Sequence, residues 1–334
     1  MRPKGQIASI WVLLLGLVLL AGGGFVVWGW SQDAPHWAEI WQWLSGGSLD
    51  ETDRYILLEL RLPRIVLGLL AGMMLAAAGL VLQGLFRNPL MDPFILGVSG
   101  GGALGAGLAI LLGIEFWFFG LSAVTLLAFG GSLAVVWLVY RLGRYRGALM
   151  MDRLLLSGVA LSALCSALLS LVLVLKGKGL DQVVYWIMGS LTGKSWQDVI
   201  TLLPFACLGM PLLIRSLHAL NLMQTGEETS LSLGLQPERT KWGLILAATL
   251  LSSAVVSVCG VIGFVGLMVP HMARLLLRTS DFRRLLLPCL ILGGLLLMLA
   301  DGLSRNLLTS QEIPVGIFTA LLGVPFFLSQ LTKQ

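Results

Sequence analysis

An all-α membrane protein of ten transmembrane helices is the fold class predicted by this 334-residue chain, on three observations. Ten apolar stretches are each long enough to cross a bilayer, because a helix rising 1.5 Å per residue covers a hydrocarbon core of about 30 Å in roughly 20 residues. Charged residues make up only 12% of the chain, against about 25% in soluble domains. The basic residues also sort to one side of the stretches, which is the bias that orients membrane proteins.

The spans are predicted near 7–30, 64–83, 94–112, 119–140, 154–175, 196–215, 241–259, 261–277, 285–304 and 314–331. With the N-terminus in the cytoplasm, most of the 22 Lys and Arg residues fall on the inner side and most of the 17 acids on the outer side. An even number of spans returns the C-terminus to the cytoplasm. The formal charge of +5 is then mostly positive-inside bias and points to no nucleic acid. The first span also fits a signal peptide, with Arg2 and Lys4 as its basic region and 13–21 as its apolar core, but apolar sequence continues through Trp30, longer than a cleaved core needs. Cys165, Cys207, Cys259 and Cys289 lie in apolar spans without metal-ligand spacing and read as small buried hydrophobes. Trp28, Trp30, Trp37, Trp41 and Trp43, with Trp117, Trp186 and Trp196 near other outer span ends, read as an interfacial aromatic belt. The longest polar stretches, 31–60 and 216–240, are too short for a separate soluble core, so residues 1–334 form a single domain.

Two motif matches do not survive their context. Gly100, Gly102 and Gly105 satisfy G-x-G-x-x-G, yet that fingerprint needs a preceding strand and a water-exposed phosphate site. Here it opens a membrane span. Small residues four apart, as in Gly97, Gly101 and Gly105, instead let helix backbones approach closely. Gly189-Ser-Leu-Thr-Gly193-Lys194-Ser195 is one residue short of a P-loop and falls on the outer side. The chain itself is therefore expected to hold no cofactor, nucleotide or metal. Catalysis finds no support either. An intramembrane protease needs a nucleophile–base pair or a metal cluster, and His271 beside Pro270 stands alone as packing or capping. A secondary carrier usually carries ionisable groups near mid-membrane, and these spans hold almost none.

What remains is a pathway with loops for partners on both faces. On the inner side, Glu227 and Glu228 suit the start of a short helix that Gly234 ends, and Pro237 suits the start of another. Two such helices form a knob fitted to a cytosolic cleft; a solvated connector is the other reading. On the outer side, Arg61 and Arg64 bracket Pro63, and Arg305 follows the ninth span. Arginine forks suit an acidic partner, although snorkelling anchors look the same.

Arg61-Leu-Pro63-Arg64, Gln83-Gly84, Arg87-Asn88-Pro89-Leu-Met-Asp92-Pro93, Gly260-Val-Ile-Gly263-Phe-Val-Gly266-Leu-Met-Val-Pro270-His271, Ala300-Asp301, Arg305 and Glu312-Ile-Pro314-Val-Gly316 stand in order. Over about 57–331 the chain resembles the permease subunits of ABC importers for iron-siderophores, haem and vitamin B12. Met91 and Phe282 are small departures. The resemblance implies a ten-helix, vitamin B12 importer permease-like subunit that is homodimeric with an axial translocation pathway. It also implies two cytoplasmic ATP-binding subunits, which bind the ATP and Mg, and a periplasmic or lipid-anchored substrate-binding protein. Arg61, Arg64 and Arg305 would dock that protein. The stretch 226–240, including Gly226, Glu227, Glu228, Leu233 and Gly234, would form the coupling helices that enter the ATPases. The fifth and tenth spans and a short outer helix near 181–193 would line the pathway, with Ser162, Ser166, Ser170 and Thr319 among the wall residues. An iron-siderophore is the expected cargo, with haem and cobalamin as alternatives.

Overall fold

The computed structural model describes residues 41, 43, 45–118, 120–176, 180–307 and 312–331; the span predicted at 7–30 lies outside them. Helix α1, Glu51–Leu85, is 35 residues long and widens into a π-helical turn over Ile56–Arg61, just ahead of Pro63. Proline removes one backbone donor and crowds the preceding turn, and a wider turn accommodates both. After α1, the Asp92 carboxylate accepts the Phe94 N–H at 2.8 Å and caps a 3-10 turn, Pro93–Leu96. Gly97, at φ 90°, takes the left-handed conformation that joins this turn to α2, Val98–Leu112.

Two-residue antiparallel strands tie α2 to α3, Ala123–Gly143, through β1 (Trp117–Phe118) and β2 (Leu121–Ser122). A second such hairpin, β3 (Arg144–Tyr145) with β4 (Ala148–Leu149), leads to α4, Met151–Lys176. There follow α5 (Leu180–Ile187), α6 (Trp196–Met223), α7 (Glu227–Ser232), α8 (Pro237–Cys259), α9 (Val265–Leu277), α10 (Phe282–Asn306) and α11 (Val315–Leu331).

Nine predicted spans fall within the described residues, and each lands on a helix. Six of these helices are long and apolar enough to cross a membrane. The stretches 94–112, 261–277 and 314–331 instead hold the shorter apolar helices Val98–Leu112, Val265–Leu277 and Val315–Ser329. Apolar length alone overstated the first two, because Gly97, Gly260 and Phe264 adopt positive φ near their starts and break the run, whereas the third is helical from Val315 to Leu331. The helix expected near 181–193 ends at Ile187, ahead of a left-handed Gly189. The expectation of four buried cysteines holds for Cys165, Cys259 and Cys289, but Cys207 is exposed on α6.

The long helices differ sharply in burial. The apolar window of α8 is 78% buried and those of α1 and α10 are 72%, whereas that of α4 is 17%. Helix α1 is the centre, packed by α10, α8, α9 and α6. Lipid offers no hydrophobic drive between helices, so association rests on close packing of small residues. A Cβ on Gly72 would lie 2.1 Å from the Gly293 carbonyl oxygen of α10. On Gly101 and Gly105 it would lie 2.4 Å from the Gly131 oxygen and 2.0 Å from the Leu127 oxygen, both of α3. Gly97, the third residue of that stripe, faces Val135. Replacing Gly101 or Gly105 by leucine is expected to push α2 off α3 and to cost more than the usual ~1–3 kcal/mol of over-packing. A lowered melting temperature in detergent checks it, and an unchanged one would remove the close-approach argument.

Candidate functional site

Polar side chains gather at the two ends of α1. At the first end, Arg64 points from the turn after Pro63 and is only 7% exposed. Its Nε donates to both Asp301 oxygens at 2.9 and 3.0 Å, and its Nη2 donates to Oδ1 at 2.8 Å. The remaining corner, Nη1, donates to Glu312 at 2.9 and 3.1 Å. Asp301 comes from α10 and is 2% exposed; Glu312 comes from the approach to α11 and is far more open. One turn beyond Asp301, Arg305 places its Nε 3.6 Å from Asp301 Oδ2. That Nε and Nη2 are buried without hydrogen-bond partners. Arg61 is likewise 7% exposed. Two of the three arginines singled out by sequence, Arg64 and Arg305, therefore converge around carboxylates, and Arg64 is internally paired.

Glu312 also accepts the Thr192 hydroxyl, which in turn accepts from Ser190 at 2.9 Å. Burial pushes the Glu312 carboxyl up, but the Thr192 hydroxyl and the Arg64 guanidinium pull it further down, leaving it below the ordinary glutamate value. Its share of stability is thus present above the ordinary glutamate value and lost as pH falls through the depressed one. The loop carrying Thr192 is tied to the core by Ser190 N–H on the Cys259 carbonyl at 2.8 Å, and the Gly316 N–H of α11 reaches the Gly189 carbonyl at 3.4 Å.

At the second end, the close of α1 is stitched to α9 and α6, and α6 to α10. Gln83 donates to the Leu267 carbonyl of α9 at 2.9 Å and accepts from Arg274. Arg87 donates to the Met223 carbonyl of α6, and Gln224 returns a bond to the Gly84 carbonyl at 3.0 Å. Asn221 bonds Asp281 at 2.6 Å and accepts the Phe282 N–H at 3.0 Å, fixing the start of α10. Directly beyond stands α7, opened by Gly226 at φ 119° and closed by Gly234 at φ 81°. Glu227 is its first residue, Glu228 is exposed, and Leu231 and Leu233 project as an apolar tip, 57% and 60% exposed. Sequence reading expected two short helices here. Only one forms: Pro237 opens the long α8, since proline presets the first helical turn and nothing in Glu-Arg-Thr-Lys interrupts it. Glu238 holds the base by accepting the Leu149 N–H at 2.9 Å and Lys241 Nζ at 2.9 Å.

Between the ends, Ser162, Ser166 and Ser170 repeat every four residues along α4 and share a face. Ser166 and Ser170 are exposed. A cavity of about 390 Å³ opens beside Ser162, lined by Asp92, Ser99, Val159 and Phe264 among others. Burial pushes the Asp92 carboxyl up to about 6, partly offset by the Phe94 N–H. Thr319 differs from the serines: it is fully buried and its hydroxyl bonds the Gly316 carbonyl at 3.0 Å. His271 packs edge-on to Phe326, with ring centroids 5.7 Å apart. Among the described residues no group of His, Cys, Asp and Glu is arranged to hold a metal ion.

Local sequence signals do not reveal Asp301 and Glu312 as partners of Arg64, or Thr192 as a partner of Glu312. Only the Asp301–Arg305 spacing of four was readable; Arg64 and Asp301 are 237 positions apart.

Residues 13–333 match the model of the FecCD transport family. The chain is 43% identical over 284 residues to the cobalamin import system permease of Halobacterium salinarum, covering 85% of this chain and 75% of that protein. It is 42% identical over 286 residues to the hemin transport system permease of Yersinia pestis, covering 84% of each. A solved metal-chelate type ABC transporter in an inward-facing conformation superposes with a TM-score of 0.84 at 30% identity, covering 97% of this chain and 99% of that one.

Arg64→Leu would strand Asp301 without its bidentate partner. Breaking one side of a buried pair costs about 3–5 kcal/mol, so a large loss of thermal stability in detergent is expected, most of it recovered when Asp301→Leu is added. Wild-type stability in the single variant would show that the pair is not structural.

Proposed function

The chain belongs to the FecCD transport family, and from that membership and the two polar ends we propose that it is the transmembrane permease subunit of a binding-protein-dependent ABC importer for a metal chelate. The observation that carries this reading is a helical bundle with a polar network at each end of one central helix. Its working form is a homodimer of ten-helix subunits, with two ATP-binding subunits on the cytoplasmic side, where ATP and Mg are held. N- and C-termini lie in the cytoplasm.

Each part of the bundle has a role in this reading. The tip of α7, with Gly226, Glu227, Glu228, Leu233 and Gly234, seats in the ATPase cleft, and its exposed leucines supply apolar contact there. The arginine cluster of Arg61, Arg64 and Arg305 meets carboxylates of the substrate-binding protein on the outer side. The exposed serine face of α4 lines an axial pathway shared with the second copy, and Thr319 sits behind that wall. Such a wall of small hydroxyl and apolar groups interacts weakly with a large polar cargo, so selection rests with the binding protein. An ATP-driven movement of α7 reaches α1 through Arg87, Gln224 and Gln83 and tilts the wall helices to alternate access. Two-fold symmetry builds each gate from the same residues twice.

The proposed cargo is an iron-siderophore. Haem or cobalamin is the second reading, favoured by the named cargoes of the two relatives above. Reconstitution in liposomes with the ATP-binding subunits and the binding protein discriminates them: uptake of one of ⁵⁵Fe-siderophore, haem or cyanocobalamin is expected, and only with ATP. Uptake by the chain without ATPase would sink the importer reading in favour of a secondary transporter. Leu231→Asp with Leu233→Asp is expected to lower coupled transport at least about ten-fold while membrane insertion persists, an effect equal to losing ~1.4 kcal/mol of docking. Normal coupled transport would remove α7 from the coupling path.

A further inference from the structure

We propose that Glu312 is an internal stand-in for a docking carboxylate: it occupies the exchangeable corner of Arg64 and, in the same position, clasps the Thr192 loop to the start of α11, so that an incoming carboxylate at Arg64 releases both. The inference rests on the docking reading given above and adds to it the step by which docking reaches the outer gate.

Arg64 has two unequal counterions. Asp301 grips the Nε–Nη2 edge with three hydrogen bonds and is itself buried. Glu312 holds only the Nη1 corner, and its side chain is 38% exposed. A carboxylate arriving from solvent can reach Glu312's place and not Asp301's. Arg305 stands alongside, its Nε 3.6 Å from Asp301 Oδ2, a second positive charge that favours the newcomer's arrival. Fork-shaped guanidinium donors favour such bidentate exchange among carboxylates.

The consequence follows from what else Glu312 holds. Its carboxylate accepts the Thr192 hydroxyl, and it lies three residues before α11 begins at Val315. The Gly189 carbonyl meets the Gly316 N–H at 3.4 Å, a weak tie. One carboxylate therefore bridges α1, the loop after α5 and the entry to α11. When it leaves Arg64, the loop and the α11 entry lose their common anchor together. Glu312 is in this sense a positioning residue for outer-gate opening.

Hydrogen–deuterium exchange on the full chain, assembled with its ATP-binding subunits in nanodiscs, tests this. The probe is the substrate-binding protein captured with the wild-type transporter and purified separately. Binding should raise amide exchange in 189–193 and 313–318 at least about ten-fold in the wild type, a shift in local opening of the size such segments show. Glu312→Gln should exchange at the raised rate without the probe and gain nothing from it. Unmoved segments in the wild type, despite binding, would mean that the newcomer adds beside Glu312, which overturns the exchange. Loss of protection throughout α1 and α10 in Glu312→Gln would make Glu312 a structural tie and would overturn it equally. Arg305→Glu should weaken binding of the probe; unchanged binding would bring down the docking reading and the exchange with it, whereas weakened binding with unmoved segments would bring down the exchange alone.

Discussion

Close backbone approach along α1 is the constraint on which the rest of the structure depends. Hydrocarbon surroundings give helices no reason to hide apolar faces from one another, so cohesion must come from van der Waals contact and a few polar bonds. The chain meets this with glycine at the crossing points. Gly72 lies against Gly293 of α10, and Gly79 lies against Gly266 of α9, where a Cβ would stand 1.9 Å from the Gly266 oxygen. A methyl group at either crossing would force the helices apart. Both contacts lie between Arg64 and Gln83, so the helix is held along this stretch while the positions on either side carry the polar chemistry.

That division explains where the ionisable residues are. Charges in a bilayer are costly unless paired or near an aqueous face. Arg64, Asp301, Arg305 and Glu312 gather beyond one end of the glycine crossings, and Gln83, Arg87, Gln224, Arg274 and Asp281 gather beyond the other. Each cluster reinforces a crossing that the glycines set, α1 on α10 or α1 on α9, and adds a joint to another element. The first ties α1 to α10 and to the approach of α11; the second ties α1 to α6 and α9, and α6 to α10. Met223 and Gln224, just ahead of α7, bond directly to Arg87 and Gly84 at the close of α1.

Much of this was legible in the sequence, for identifiable reasons. Span positions follow from apolar length, and the nine within the described residues found their helices. The α7 helix was readable because Gly226, the Glu pair and Gly234 are local signals with local causes. Gly101 and Gly105 were readable because a four-residue spacing of small residues has one physical use in a membrane helix. Where sequence reading fell short, the cause was a non-local or conformational fact. Pro237 starts a helix in either reading, and its length depends on residues further along. Thr319 was placed on a pathway wall by its helix, yet its rotation is set by packing against neighbours distant in sequence. The partners of Arg64 lie more than two hundred positions away, beyond any periodicity.

The scarcity of strong interactions along α4 is consistent with the same economy. A helix of 26 residues with a window only 17% buried must be covered by something besides its own chain. Ser166 and Ser170 are exposed one turn apart on it, polar enough to be wetted and too weakly polar to hold a solute tightly. A wall that bound its cargo firmly would oppose release on the far side, and the work of closing the ATPases would go into breaking that grip. Tight recognition is better placed where it can be dismantled by exchange, at the arginine cluster, where a buried acid keeps Arg64 charged and oriented while an exposed one can be displaced. In the proposed reading, the strongly bonded end of α1 at Arg64 is in this way also the part best suited to being switched.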